Sequence, residues 1–124
     1  MFAEPWNPEL YANSFRADDT RDAFCFLVGQ AGRLMDYRCH PQQKGAVMDF
    51  RFYDAKDELP FAFIPNTKWL LFYLRKPAIR SGVASFDTLH AAFDSASRNG
   101  SSEWTVRLRS IADVQCLWKL LKLR

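Results

Sequence analysis

The stretch "TKWLLFYLR", Thr67 to Arg75, is apolar on both alternating faces between Trp69 and Leu74. A strand of this kind has no side to give to water, so it belongs in the middle of a sheet. The remainder of the chain must then supply neighbouring strands and the elements that cover them.

Three further segments read as strands. From Ala46 the hydrophobic period is two, with Ala46, Met48, Phe50 and Phe52 turned one way and Val47, Asp49, Arg51 and Tyr53 the other. "DAKDELP" follows as a turn, and then the apolar run "FAFI". Pro60 and Pro65 bracket that run and cannot donate to a ladder, so this strand should be short or lie toward an edge. With "TKWLLFYLR" these strands make a three-stranded antiparallel meander. "EWTVRLRS", Glu103 to Ser110, supplies a fourth strand, alternating Trp104, Val106 and Leu108 with Glu103, Thr105, Arg107 and Arg109.

The helices are signalled by period and caps. Asn7 and Pro8 open a short helix from about Pro8 to Phe15. Phe24, Leu27, Val28, Ala31, Leu34 and Met35 recur at helical spacing behind acids at 18, 19 and 22, which predicts a helix from about Asp19 to Tyr37. Gly29 and Gly32 weaken it by about 1 kcal/mol each unless something packs closely against them, and "FCFLV" offers a competing strand reading. "RCHPQQKG" has no periodicity and reads as a loop, while "KPAIRSGVAS" reads as a connection. Ser85 caps a helix bearing Phe86, Leu89, Ala92, Phe93 and Ala96, which "SRNGSS" stops with Gly100 free to take a positive φ. Ser110 with Asp113 three residues on opens a final helix with Ile111, Val114, Leu117, Trp118 and Leu121 on its apolar stripe. The expected order is α-α-β-β-β-α-β-α: an α+β domain over residues 1–124, with helices on one face of a mainly antiparallel four-stranded sheet.

Several chemistries lack their residues. No apolar run approaches the roughly 18 residues of a membrane span, no secretory leader is evident, and three scattered cysteines do not make a disulfide framework; the chain reads as cytoplasmic, with no membrane role. The two histidines and three cysteines show no metal-ligand spacing, no glycine-rich phosphate loop occurs, and no cofactor is implied. Cys39 and His40 are adjacent, an arrangement that seldom aligns a nucleophile with its base. Asp49 and Glu103 are the two strand carboxylates that a metal-dependent nuclease would need close together.

Charge is uneven. Residues 1–60 hold ten acids and seven bases, and residues 61–124 four acids and ten bases. That asymmetry points to a non-enzymatic binding module recognising an anionic partner, nucleic acid or an acidic protein surface, through an arginine-bearing sheet face. The candidate residues are Arg51, Arg107 and Arg109 on strand faces, with Arg75, Lys76 and Arg80 at the end of the central strand and in the connection from Lys76 to Ser85. Tyr53 and Tyr73 could stack on bases beside them. The competing explanation is ordinary surface pairing, with Asp49 and Glu103 neutralising the arginines. Two other readings stand beside it: a homodimer or protein-interaction module using surplus aromatics (Trp6, Phe15, Trp69, Phe72, Trp104 and Trp118), and a small-molecule-binding protein or enzyme with an unassigned pocket.

Overall fold

A computed structural model describes residue 15, residues 17–44 and residues 47–124. The elements run α1 (Asp18–Gly32), β1 (Arg38–Lys44), β2 (Val47–Tyr53), β3 (Phe61–Pro65), β4 (Leu70–Leu74), α2 (Lys76–Ser81), α3 (Phe86–Ala92), β5 (Ser97–Asn99), β6 (Glu103–Leu108) and α4 (Ile111–Leu120). The helix expected from Pro8, and Trp6, lie outside the described residues.

The fold is α+β, but the sheet has six strands rather than four, in the order β1-β2-β3-β4-β6-β5, all neighbours antiparallel. The expected meander is present as β2-β3-β4, and the doubly apolar strand β4 does lie in the interior. β3 is five residues long yet also interior, because Pro60 and Pro65 fall at its boundaries. There the Pro60 carbonyl still accepts the Arg75 N–H at 2.8 Å.

The two extra strands correct the expected order. "RCHPQQKG" is not a loop: seven residues of it pair with β2, Cys39 turns into the core, and Pro41 is tolerated because β1 is an edge. β5 has three exposed residues and no apolar signal; it forms as the return of a hairpin onto β6, with Gly100 at φ 70° in the bend. "KPAIRSGVAS" is likewise more than a connection, since Lys76–Ser81 is helical and Gly82 ends it at φ 71°.

Two of the predicted helices stop early. α1 ends at Gly32 rather than Tyr37, leaving Met35 89% exposed, and the chain turns into β1. Nothing packs against Gly29, so its helical cost is not offset there. α3 ends at Ala92, with Phe93 extended but still buried. The caps are as expected: Ser85 Oγ accepts the Thr88 N–H at 3.1 Å, and Ser110 Oγ accepts the Asp113 N–H at 3.2 Å.

The core lies between one sheet face and the helices. Cross-strand register lines up Phe50, Phe63, Phe72 and Val106, all fully buried, and the Phe50 and Phe63 rings stack at 4.6 Å. Phe24 of α1 meets Phe50 and Phe63 edge-on, Trp118 of α4 meets Phe52 and Phe72, and Phe86 of α3 meets Trp104. Each fully buried Phe contributes about 1.5–3 kcal/mol, so this face holds the sheet to its helices. The opposite face carries His40, Arg51, Tyr73, Thr105 and Arg107, alternating with the core residues along each strand.

Candidate functional site

The predicted arginines fall at three places on that opposite face and its margins. Arg51 lies on β2, with two strands between it and β6, so it and Arg107 sit three spacings, about 14 Å, apart across the sheet at ~4.8 Å per spacing. Asp49 on the same strand neutralises Arg51, with Nε to Oδ1 at 3.3 Å and both side chains about four-fifths covered. The Tyr53 hydroxyl and then Asp49 hold the Arg51 proton more tightly than usual.

Arg75 closes β4, where Glu103 of β6 takes its Nε at 2.9 Å. Arg80 pairs with Glu58 of the β2–β3 turn, and Lys76 is exposed at the start of α2. Of the arginines that Glu103 could neutralise, the register gives it Arg75 and not Arg107, since Glu103 lies at the Arg75 end of β6 whereas Arg107 is opposite Leu71.

The third place differs in kind. Arg107 and Arg109 project from alternate positions at the end of β6, and the register that sets Leu70 against Leu108 brings both beside Trp69. The Arg107 guanidinium carbon lies 4.4 Å from the Trp69 ring centroid and that of Arg109 lies 5.7 Å away. Among the described residues no carboxylate lies within ion-pair distance of either. Cation–π contact attracts each guanidinium by about 0.5–1 kcal/mol at an exposed site. A cation–π contact uses no N–H donor, and among the described residues neither guanidinium donates a hydrogen bond, so the donors are available to an anion.

Local structure fixes this cluster. Trp69 follows a tight turn in which the Asn66 N–H reaches the Trp69 carbonyl at 2.8 Å. Buried Thr20 of α1 donates its hydroxyl to the Lys68 carbonyl at 2.8 Å, tying the turn to the helix layer. The Arg107 N–H donates to Ser95 Oγ at 2.9 Å and the Arg109 N–H to Asp113 Oδ2 at 2.8 Å, so both backbones are anchored while both side chains stay exposed. Trp69 was absent from the sequence-derived binding set. Its parity with Leu71 and Tyr73 places it on their face, but only the β4–β6 register reveals its arginine partners.

Next to Arg107 a groove of about 540 Å³ runs along the β5 edge, lined by Leu71 and Tyr73 of β4, by Thr105 of β6 and by the segment from Asp94 to Asn99, which brings one carboxylate, Asp94, and one further cation, Arg98. Burial raises the Tyr73 hydroxyl above its ordinary value, with Glu103 and Asp49 adding to the effect. A cavity of about 580 Å³ lies at the other end of the sheet, between Tyr37, Phe61 and Ala78, beside the Arg80–Glu58 pair. Its described lining contains neither histidine nor cysteine.

The catalytic alternatives find no geometry. Cys39 is buried, its thiol donates to the Ala31 carbonyl at 3.6 Å, and burial pushes it up to about 11, opposite to what a nucleophile needs. The His40 ring packs on Tyr53. Asp49 and Glu103 stand on β2 and β6 with two strands between them, about 14 Å apart across the sheet, too far to share a metal ion. Among the described residues no three His, Cys, Asp or Glu side chains gather to hold a metal, and no helix is long and apolar enough to cross a membrane.

The surplus aromatics are mostly consumed by the core. Phe72 and Trp118 are buried, while Phe15 and Trp104 are half-buried against Phe24 and Phe86. Comparison with known proteins finds no matching family model, no matching curated protein and no matching solved structure.

Proposed function

We propose that the protein is a non-enzymatic binding module that recognises an anionic partner through Arg107 and Arg109. The observation that carries this reading is their convergence on Trp69 without an ion-paired carboxylate among the described residues, whereas Arg51, Arg75 and Arg80 are all paired. Two guanidiniums with free in-plane donors suit bidentate contact with phosphate or carboxylate oxygens. The six sequence-derived residues thus contribute unequally: Arg107 and Arg109 bind, Lys76 adds a peripheral charge, and Arg51, Arg75 and Arg80 serve the fold. Three free thiols, two of them exposed at Cys25 and Cys116, suit a reducing compartment such as the cytoplasm.

The test is salt-dependent binding to short single-stranded and double-stranded oligonucleotides and to an acidic peptide. For the polyanion that binds, replacing both arginines by alanine lowers the log–log salt slope by about 2. Absence of binding to all three at low ionic strength overturns the proposal.

A further inference from the structure

The groove beside Arg107 narrows the identity of the anion. We infer that the partner is a single-stranded nucleic acid, with one unstacked base seated on Tyr73 in the β5-edge groove while its phosphate lies on Arg107. This rests on the reading of Arg107 and Arg109 as an anion-binding pair.

Arg107 belongs to both features, lying over the Trp69 ring and lining the groove. A phosphate held there therefore has a cavity beside it. At about 540 Å³ the groove falls within the roughly 300–1,000 Å³ of small-ligand sites, large enough for a base and its sugar. Its lining includes an aromatic ring and an aliphatic side chain on β4, the hydroxyls of Ser97 and Thr105, and the amide of Asn99, which keeps one N–H beyond the bond it makes to Glu103 at 3.4 Å; the Asp94 carboxylate, facing Arg98 and Arg107 in the same lining, can accept from a base amino or imino group. Such a lining stacks on a flat heterocycle and hydrogen-bonds to its edge or sugar.

A simple polyanion engages the arginines and leaves this lining idle. An acidic peptide brings carboxylates but no obligatory flat ring. In a duplex the bases are stacked inside, out of reach of a concave groove set into a sheet. An unpaired strand meets both demands, because its bases turn out independently while its phosphates stay on the surface. Trp69 is engaged by the two arginines and does not line the groove; Tyr73 is the aromatic ring that does.

The experiment titrates the whole protein against labelled oligothymidylate, the same sequence as a duplex, and inorganic polyphosphate of matched charge. Oligothymidylate should bind about tenfold more tightly than polyphosphate. Tyr73→Leu should erase that margin while leaving polyphosphate affinity unchanged, and Tyr73→Phe should keep it. Because Tyr73 sits in an interior strand, Asn99→Ala on the exposed edge strand gives a second probe, expected to cost oligothymidylate binding about threefold with polyphosphate untouched. Equal affinity for oligothymidylate and polyphosphate, or preference for the duplex, overturns the inference and leaves the anion-binding reading standing. Binding to none of the three overturns both.

Discussion

Two ends of one sheet face carry arginines under opposite conditions. At one end Arg75 meets Glu103 at 2.9 Å, with Arg80 on Glu58 nearby in the chain. At the other, six residues and about 20 Å back along β4 at ~3.3 Å per residue, Arg107 and Arg109 meet an indole. The difference teaches that a cation's availability is decided by cross-strand register rather than by its side chain. A carboxylate consumes the donors of a guanidinium, whereas an aromatic face orients the group and leaves those donors unused.

The largest effect should come from reversing charge at each end in turn. Arg107→Glu with Arg109→Glu should lower affinity for the bound polyanion by 100-fold or more, on the basis of about 1–3 kcal/mol for each arginine contact. Arg75→Glu should change it by less than about threefold, since that charge is already neutralised and a Debye length of ~8 Å separates it electrostatically from the other end. Fluorescence anisotropy at physiological salt reads both. Equal losses at the two ends would break the comparison and return the binding surface to a diffuse basic face.

Next in size is the indole itself. Trp69→Leu keeps an apolar side chain in place but removes the π surface that holds two guanidiniums together. Affinity should fall by about tenfold, the equivalent of losing one to two cation–π contacts, while the salt slope stays as in the parent because the charges remain. A reduced slope would mean that Trp69 contributes through the number of charges engaged rather than through their placement.

How much of this contrast was legible in the sequence follows from what alternation can and cannot encode. Arg107 and Arg109 were readable as outward-facing because Trp104, Val106 and Leu108 alternate with them as core residues. Their freedom was not, because it depends on which residue of β4 each one faces, and register is a long-range property. Glu103 neutralises an arginine across the ladder, as ordinary surface pairing would have it, but that arginine is Arg75, and Arg107, four residues along the same strand, is left without it. Asp49 did the reverse, pairing along its own strand with Arg51. The missed strands have a related cause. β1 hides its alternation behind Cys39, whose burial a polar-looking segment does not advertise, and β5 has no apolar residue at all.

A smaller effect should follow from converting the paired end into a free one. Glu103→Gln releases Arg75 while preserving shape. Binding should then improve about twofold to threefold through one additional screened charge, and stability should drop by under about 1 kcal/mol because the pair is partly exposed. Denaturant midpoints and anisotropy on the same samples separate the two. A gain larger than tenfold would show that Arg75 is within reach of the ligand, and the two ends would then form one surface.

The last expectation is a flat response to pH. Among the described residues no histidine is in contact with Arg107 or Arg109: the ring contacts of His40 and His90 are with Tyr53 and Phe86, and the carboxylate bonded there, Asp113, accepts only the Arg109 backbone N–H. The Tyr73 hydroxyl is held above its ordinary value of 10 by burial and then by Glu103 and Asp49, so it stays neutral and does not repel an anion below that value. Binding of an oligonucleotide without terminal phosphates should therefore change by less than about twofold between pH 6 and 9. The upper bound is set by the fold. Cys39 ionises near 9 when unfolded and at about 11 when buried, so its contribution to stability is intact below pH 9 and lost as pH climbs toward 11, by about 3 kcal/mol. Loss of affinity centred near pH 6–7 would put a histidine at the anion site and contradict the separation of His40 and His90 from Trp69. Loss above pH 9 that disappears in Cys39→Ala would trace to the core instead.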